Sequence, residues 1–254
     1  MTRPQQPADL FSLPHPERDA YLAACRAWEA SPDGIAELAA VKAEREAQRW
    51  AAYTAALPAA IETLLRHGAG PGQRMGLPER ALDIVLAGGL QETPARAAVR
   101  GATDICVLSG GPGTTKTCSA VCWCREHIVA PANWRSTDVG QPCFVGVLPL
   151  WLSAGQLARL DHFDQKAIDR VAKAQRLVID DLGAEYADAK GFFSSLLDEV
   201  IDARYSGKRP TVVTTNLDAE AFKARYGARI IDRILEAGRF VACGNQSLRR
   251  RPAQ

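Results

Sequence analysis

The chain has 254 residues, 47% hydrophobic, 24% charged and 7% aromatic, with 31 basic against 29 acidic residues and a formal net charge of +2. These proportions exclude a wholly disordered chain and leave ample sequence for a buried core, while the charge balance neither demands nor forbids a nucleic-acid partner. No apolar run approaches the roughly 18 residues that cross a bilayer, the opening MTRPQQPADLF has no secretory core, and seven cysteines fit reduced thiols better than a disulfide framework; the expectation is a cytoplasmic protein with no membrane partner.

Residues 1–16 carry four prolines and read as an arm. Residues 17–30 and 33 to about 57 are rich in Ala, Glu, Lys, Arg and Gln, which are strong helix formers. Apolar residues recur there at helical spacing in Ile35, Leu38, Val41 and later Trp50, Tyr53, Leu57. Ser31-Pro32 reads as an N-cap followed by a first-turn proline. Pro58 should kink or restart the second helix, and Gly68-Ala-Gly-Pro-Gly72 should end it. Residues 1–75 thus read as a small helical region and linker, with the Trp50, Tyr53, Leu57 stripe taken for helix packing rather than a partner site.

From Gly76 onward short Val- and Ile-rich runs alternate with helical segments. Strands are expected at 105–108, 144–148, 177–179, 211–214 and 240–243, each short and apolar, as buried parallel strands are. Phe192, Phe193, Leu196, Leu197, Val200 and Ile201 share one helical face, and Asp218 can cap the helix before Tyr226. This alternation over residues 76–254 predicts an α/β fold with a doubly wound parallel sheet, which binds ligands at the carboxyl ends of its strands.

The strongest chemical signal follows the first of those strands: Gly110-Gly111-Pro112-Gly113-Thr114-Thr115-Lys116-Thr117. Glycines let backbone N–H groups close on a phosphate chain, and the next helix points its N-terminus at the anion. Lys116 would reach the β- and γ-phosphates of ATP, and the Thr117 hydroxyl would bind Mg²⁺. The pattern expects glycine where Thr115 stands; taken alone, the run also reads as a Gly/Thr-rich turn. The second signal is Asp180-Asp181 at the end of the apolar run beginning at Leu177, 64 residues beyond Lys116. In a phosphate-loop enzyme Asp180 would hold Mg²⁺ and Asp181 would polarise the attacking water. The third is Asn216, closing the strand at 211–214, where a polar side chain can position water; by itself it reads equally as a turn residue.

Taken together these residues resemble a family. The run from Leu177 to Gly183 into Ala184-Glu185, then Arg204-Tyr205, Lys208-Arg-Pro210, Thr214-Thr-Asn216 and Tyr226-Gly-Ala-Arg229-Ile-Ile-Asp-Arg233-Ile-Leu-Glu, is similar to the AAA+ ATPases of the DnaC/IstB type. That group contains replicative-helicase loaders and helper ATPases of transposases. The resemblance covers roughly residues 76–251 and not the first 75. It implies an AAA+ core in which Lys116 and Thr117 are Walker A, Asp180 and Asp181 Walker B, and Asn216 sensor 1. Arg233 then takes the place of an arginine finger, with Arg229 one turn earlier, and Arg249 that of a sensor 2 arginine. ATP with Mg²⁺, self-association through the ATP site, single-stranded DNA, and a replicative helicase gripped by the N-terminal helices are its implied ligands and partners. With little sequence after Arg249, a helical lid is not expected, which also fits such loaders.

Two other functional readings stay open: an IstB-like transposition helper, and a nucleotide-binding adaptor with little hydrolysis because of Thr115. Residues 1–75 hold eight basic and nine acidic residues, which suits protein binding better than duplex DNA. Asp181, where many AAA+ proteins carry Glu, is a second departure. Arg249, Arg250 and Arg251 read, without the resemblance, as a solvated tail. Cys118, Cys122, Cys124 and His127 lack convergent metal spacing and read as small residues of the helix behind the phosphate loop.

Overall fold

The computed structural model describes residues 2–7, 9–10, 14–68, 75–128, 148–161, 163–185 and 191–248. They fall into two compact units, one holding the first 58 residues and one running from Ala59 onward. No helix among the described residues is long and apolar enough to cross a membrane.

In the first unit, helix α1 (His15–Glu29) is followed by the start of α2 (Pro32–His67). Ser31 makes the joint: its hydroxyl donates to the Trp28 carbonyl at 2.6 Å and accepts from the Gly34 N–H at 3.1 Å. This is the capping that Ser-Pro predicts. A Cβ on Gly34 would lie 1.9 Å from the Trp28 carbonyl oxygen, so the tight turn demands glycine. Trp28 and Tyr53 are buried, and Tyr53 stacks on Trp50 with ring centroids 5.5 Å apart. Of the expected stripe, Tyr53 is core, Leu57 half-buried and Trp50 exposed; Ile35, Leu38 and Val41 are exposed as well.

Helix α2 continues through Pro58, so the expected restart does not occur. A proline removes one N–H from the helix, and the flanking alanines, the best helix formers, carry the chain across it. The helix stops at Gly68, whose positive φ of 75° lets its N–H return to the Leu64 carbonyl at 2.8 Å.

The second unit contains, in chain order, α3 (Glu79–Leu86), α4 (Pro94–Val99), β1 (Ile105–Ser109), α5 (Lys116–His127), β2 (Leu150–Ser153), α6 (Ala154–Leu157), α7 (Gln165–Lys173), β3 (Leu177–Leu182), α8 (Phe192–Ser206), β4 (Thr211–Thr215), α9 (Ala219–Tyr226), α10 (Ala228–Ala237) and β5 (Gly238–Ala242). The strands form one sheet in the order β2-β3-β4-β1-β5, and every pairing is parallel. The doubly wound expectation holds, because alternate strand residues feed two cores. Cys106, Leu108, Val178 and Val212 pack with Leu64, Leu65 and the apolar residues of α3, α4 and α5. Ile105, Val107, Leu177, Ile179 and Val213 pack with those of α6 to α10. Phe193, Leu196, Leu197, Val200 and Ile201 form the buried face of α8, while Phe192 is exposed. Asp218 caps α9 by accepting from the Ala221 N–H.

Strands β1, β3 and β4 run past their expected ends into polar residues, and β5 begins earlier, at Gly238. Of the expected strand 144–148, residues 144–147 lie outside the described residues and Leu148 is not in a strand. Among the described residues the edge strand stands at Leu150–Ser153, just beyond Pro149.

Arg204 of α8 is the largest buried charge among the described residues, with 0% exposure. Its Nε donates to Thr211 Oγ1 at 2.6 Å, its Nη1 to the carbonyls of Val171, Ala172 and Ala174, and its Nη2 to the Pro210 carbonyl at 2.7 Å. One side chain thereby ties the carbonyls at the end of α7 to the entry of β4, where Val171 also accepts from the Ala174 N–H, Ala172 from Arg209 and Pro210 from the Leu177 N–H. Burial, with Arg209 nearby, pushes its pKa down to about 9, so it stays charged at neutral pH. Arg204→Met keeps the length but removes the guanidinium donors, taking away the bonds to the Ala174 carbonyl and to Thr211 Oγ1 and weakening those at Val171, Ala172 and Pro210. Urea unfolding should show a loss of at least about 3 kcal/mol; an unchanged midpoint would mean that water replaces the guanidinium.

Candidate functional site

The loop from Gly110 to Thr115 joins β1 to the N-terminus of α5. Gly110 and Gly113 have φ of 154° and 85°. A Cβ on Gly110 would lie 2.5 Å from the Gly244 carbonyl oxygen, and one on Gly113 would lie 2.2 Å from Ser247 Oγ. The segment after β5 therefore closes on the loop. The Gly111 N–H donates to the Gly244 carbonyl and to Asn245 Oδ1, both at 3.0 Å, and the Leu248 N–H donates to the Gly113 carbonyl at 2.9 Å.

Thr115 occupies the left-handed region, with φ 65° and ψ 10°, at the N-cap of α5. That conformation costs a β-branched residue roughly 1–2 kcal/mol and explains why glycine is expected there. Its Cβ does not block the fold, because its hydroxyl is taken up by Thr93 Oγ1 at 2.9 Å. Thr93 in turn caps α4 by accepting from the Arg96 N–H.

Around the loop mouth polar groups form a circuit that runs from Lys116 to its neighbour in the chain, Thr117. Lys116 Nζ donates to the carbonyls of Gly110 and Gly111 at 2.6 and 2.9 Å and to Asn216 Oδ1 at 3.1 Å. Asn216 Nδ2 reaches Asp181 Oδ1 at 3.3 Å. The Asp181 N–H donates to Thr214 Oγ1 at 2.8 Å, and that hydroxyl donates to Asp180 Oδ1 at 2.6 Å. The Thr117 hydroxyl donates to the same Asp180 oxygen at 3.1 Å. The geometry thus brings together Lys116, Thr117, Asp180, Asp181 and Asn216. Thr214 is the member that the sequence reading quoted in the run closing β4 without assigning it a role of its own; as one of three threonines in that strand, it carries no signal that singles it out.

The acids sit on a β-bulge. Ile179 pairs with Val213 and Leu182 with Thr215, so β3 carries one residue more than β4, and Asp181 takes φ 60°. Asp180 is buried while Asp181 is exposed. Burial raises the Asp180 pKa above the usual carboxylate range, with Asp181 adding to the rise; the Thr214 and Thr117 hydroxyls and Lys116 pull the other way.

The remaining predicted residues lie elsewhere. Arg233 of α10 pairs with Asp198 at 2.9 Å and Asp202 at 2.5 Å, both on α8. Arg229 meets Asp198 at 3.3 Å and is 65% exposed. Neither joins the circuit around Lys116. Arg249, with Arg250 and Arg251, lies outside the described residues. On α5, Cys122 and Cys124 are buried and Cys118 half-buried, and burial pushes the Cys122 and Cys124 thiols up, away from the thiolate that binds metals. Cys106 rises to about 11 for the same reason. No group of three or more metal-binding side chains stands among the described residues.

A family model described as "IstB-like ATP binding protein" matches residues 96–254. The replicative helicase loader DnaC of Escherichia coli K12 is 25% identical over 134 residues, covering 50% of this chain and 49% of the relative. The uncharacterized protein YdaV of the same organism is 28% identical over 136 residues, covering 53% and 50%. The chain spans about half the length of the curated relatives it matches. Among solved structures, the DnaC helicase loader aligns at 20% identity with a TM-score of 0.45, over 64% of this chain and 90% of that one.

Thr115→Val keeps the left-handed strain and removes the bond to Thr93, leaving Thr93 Oγ1 only its contact with the Arg96 N–H, so it should cost about 1 kcal/mol; Thr115→Gly trades the lost bond for relieved strain and should stay within about 1 kcal/mol of wild type. Thermal unfolding ranks the three, and a valine variant as stable as wild type would show the Thr93 bond to be idle. A carboxyl whose pKa rises on folding costs no stability below the usual carboxylate pKa. Its cost develops as pH rises towards the folded value and is complete above it. Asp180→Asn keeps the oxygen that accepts from Thr117 and Thr214 but loses the charge. It should therefore stabilise the fold at pH 7 by about 0.5–2 kcal/mol, a gain that shrinks in acid; calorimetric scans at both pH values check the sign.

Proposed function

Because the chain belongs to the family of IstB-like ATP-binding proteins, we propose that it is an AAA+ ATPase of DNA replication that uses ATP and Mg²⁺ to load or remodel a replicative helicase on single-stranded DNA. The observation that carries the ATPase reading is the circuit joining Lys116, Asn216, Asp181, Thr214, Asp180 and Thr117 at the carboxyl edge of the sheet. The likeness to a replicative helicase loader supports the replication role.

Asp180 and the Thr117 hydroxyl offer adjacent oxygen ligands, the kind that Mg²⁺ takes. The buried Asp180 carboxyl also lacks a full counter-charge, so the residues fit the ion. When bound, Mg²⁺ would neutralise charge on the β- and γ-phosphate oxygens. Lys116 exchanges the carbonyls of Gly110 and Gly111 for phosphate oxygens, and the loop N–H groups from Gly113 to Thr117 close on the β-phosphate. Asp181 orients the attacking water and accepts its proton. Asn216, bonded to both Lys116 and Asp181, keeps phosphate and water in line.

Arg233, with Arg229, serves a neighbouring subunit's γ-phosphate across an interface, and Arg249 acts as the sensor arginine. In the isolated chain Arg233 is held by Asp198 and Asp202, so assembly exchanges those carboxylates for phosphate. The helices of residues 1–75 hold the helicase, and DNA is gripped through its phosphates with strong salt dependence. The IstB likeness of the family keeps a second reading, a transposition helper, beside the first; the adaptor reading draws on the strain at Thr115.

Steady-state ATP hydrolysis with and without single-stranded DNA tests this. Wild type should turn over at a rate that DNA changes. Lys116→Ala should lose ATP-analogue binding, whereas Asp181→Asn should keep it and lose turnover by about 10²-fold or more. Unchanged analogue affinity in Lys116→Ala would remove the phosphate-loop assignment. Tight binding without turnover in any condition would leave the adaptor.

A further inference from the structure

One carboxylate has no part in the circuit. Glu185 follows Asp181 by four residues, and its side chain is 1% exposed. Oε2 accepts from the Gly183 N–H at 2.7 Å. Oε1 accepts from Arg225 Nε at 3.0 Å, Arg225 Nη2 at 2.7 Å and the Tyr226 hydroxyl at 2.6 Å. Arg225 Nη2 donates to the Glu185 carbonyl as well, at 2.8 Å.

The two ends of this joint lie at functionally distinct places. Gly183 leaves the bulged strand directly behind the acids, and the Ala184 N–H donates to the Asp181 carbonyl at 3.1 Å. Arg225 and Tyr226 end α9, and Gly227 alone separates them from α10, which carries Arg229 and Arg233. Burying a carboxylate is expensive, and an amide or an apolar side chain would close the same turn. A charged guanidinium–carboxylate pair adds directionality: it fixes both partners in distance and in angle.

We propose that Glu185 is a positioning residue for ATP hydrolysis, locking the loop behind Asp181 to the base of α10. A subunit's own acid and the arginines it offers a neighbour then move as one body. The inference rests on the ATPase reading above. The phosphate loop is outside the joint, so Glu185 acts on turnover and not on nucleotide binding.

The test uses full-length Glu185→Gln and Arg225→Lys. The lysine variant, at a partly exposed position, guards against misfolding of the first. ATP-analogue Kd, kcat and KM are measured, with hydrogen exchange over residues 177–185 and 219–237 with and without the analogue. Both variants should keep Kd and KM within about threefold while kcat falls about tenfold to a hundredfold. In wild type the analogue should alter exchange at 219–237, and in the variants that response should vanish. Wild-type kcat in both variants overturns the proposal, as does exchange at 219–237 that ignores the analogue in wild type or responds equally in all three. Loss of analogue binding together with kcat assigns Glu185 a structural role only, and overturns it too. A wild type that binds the analogue without hydrolysing it defeats the ATPase reading alone, and the exchange comparison then still decides the joint.

Discussion

A carboxylate buried to more than nine-tenths persists only where donors surround it, and Asp180 sets that condition for the elements nearby. Its Oδ1 takes hydroxyls from α5 and from β4, which obliges β3, β4 and the helix after the loop to meet at one edge. The strand order supplies the meeting. β4 lies between β3 and β1, and its residues Thr211 to Thr215 run level with Ile105 to Ser109. The loop leaving β1 and the acids leaving β3 therefore flank one strand, whose closing residues Thr214 and Asn216 bond to both sides. The two apolar cores on either face hold this edge in place, and Arg204 secures the entry to β4 from below.

Backbone strain is concentrated at the same edge. Among the described residues, Thr115, Asp181 and Lys208 are the non-glycine residues with positive φ, and the first two border the site. Each has a local remedy. Thr115 finds a hydroxyl partner in Thr93, and the Asp181 N–H is fixed by Thr214. The left-handed region also accounts for aspartate at 181. Asp tolerates it far better than longer side chains do, so the bulge selects the shorter acid and supplies reach by backbone geometry instead.

Much of this was readable beforehand, for a physical reason. Fully buried parallel strands must be apolar on both faces, so β1, β3 and β4 announce themselves by short apolar runs at 105–108, 177–179 and 212–213, and the polar residues that follow mark the functional edge. Strand β2 also lies in an apolar stretch, at 148–152, but Pro149 interrupts it, and no strand was expected at 150–153. The continuity of α2 through Pro58 was hidden too, since local proline chemistry argues for a break that strong helix formers on both sides override. What composition and spacing cannot carry is pairing across long separations. Thr93 with Thr115, Glu185 with Arg225, and Arg233 with Asp198 and Asp202 are ordinary polar residues until the fold brings them together.

The closure of the segment after β5 on the phosphate loop ties two parts of the gene to each other. Gly111 and Asn245 are separated by 134 positions yet share a hydrogen bond, and Gly113 leaves room for Ser247 and little else. Drift at either place is judged by the occupant of the other. A chimera that takes its loop from one relative and its tail from another would join surfaces never selected together. Grafts, tags and loop libraries built on this scaffold are best cut so that residues 110–115 and 243–248 travel as one inherited module.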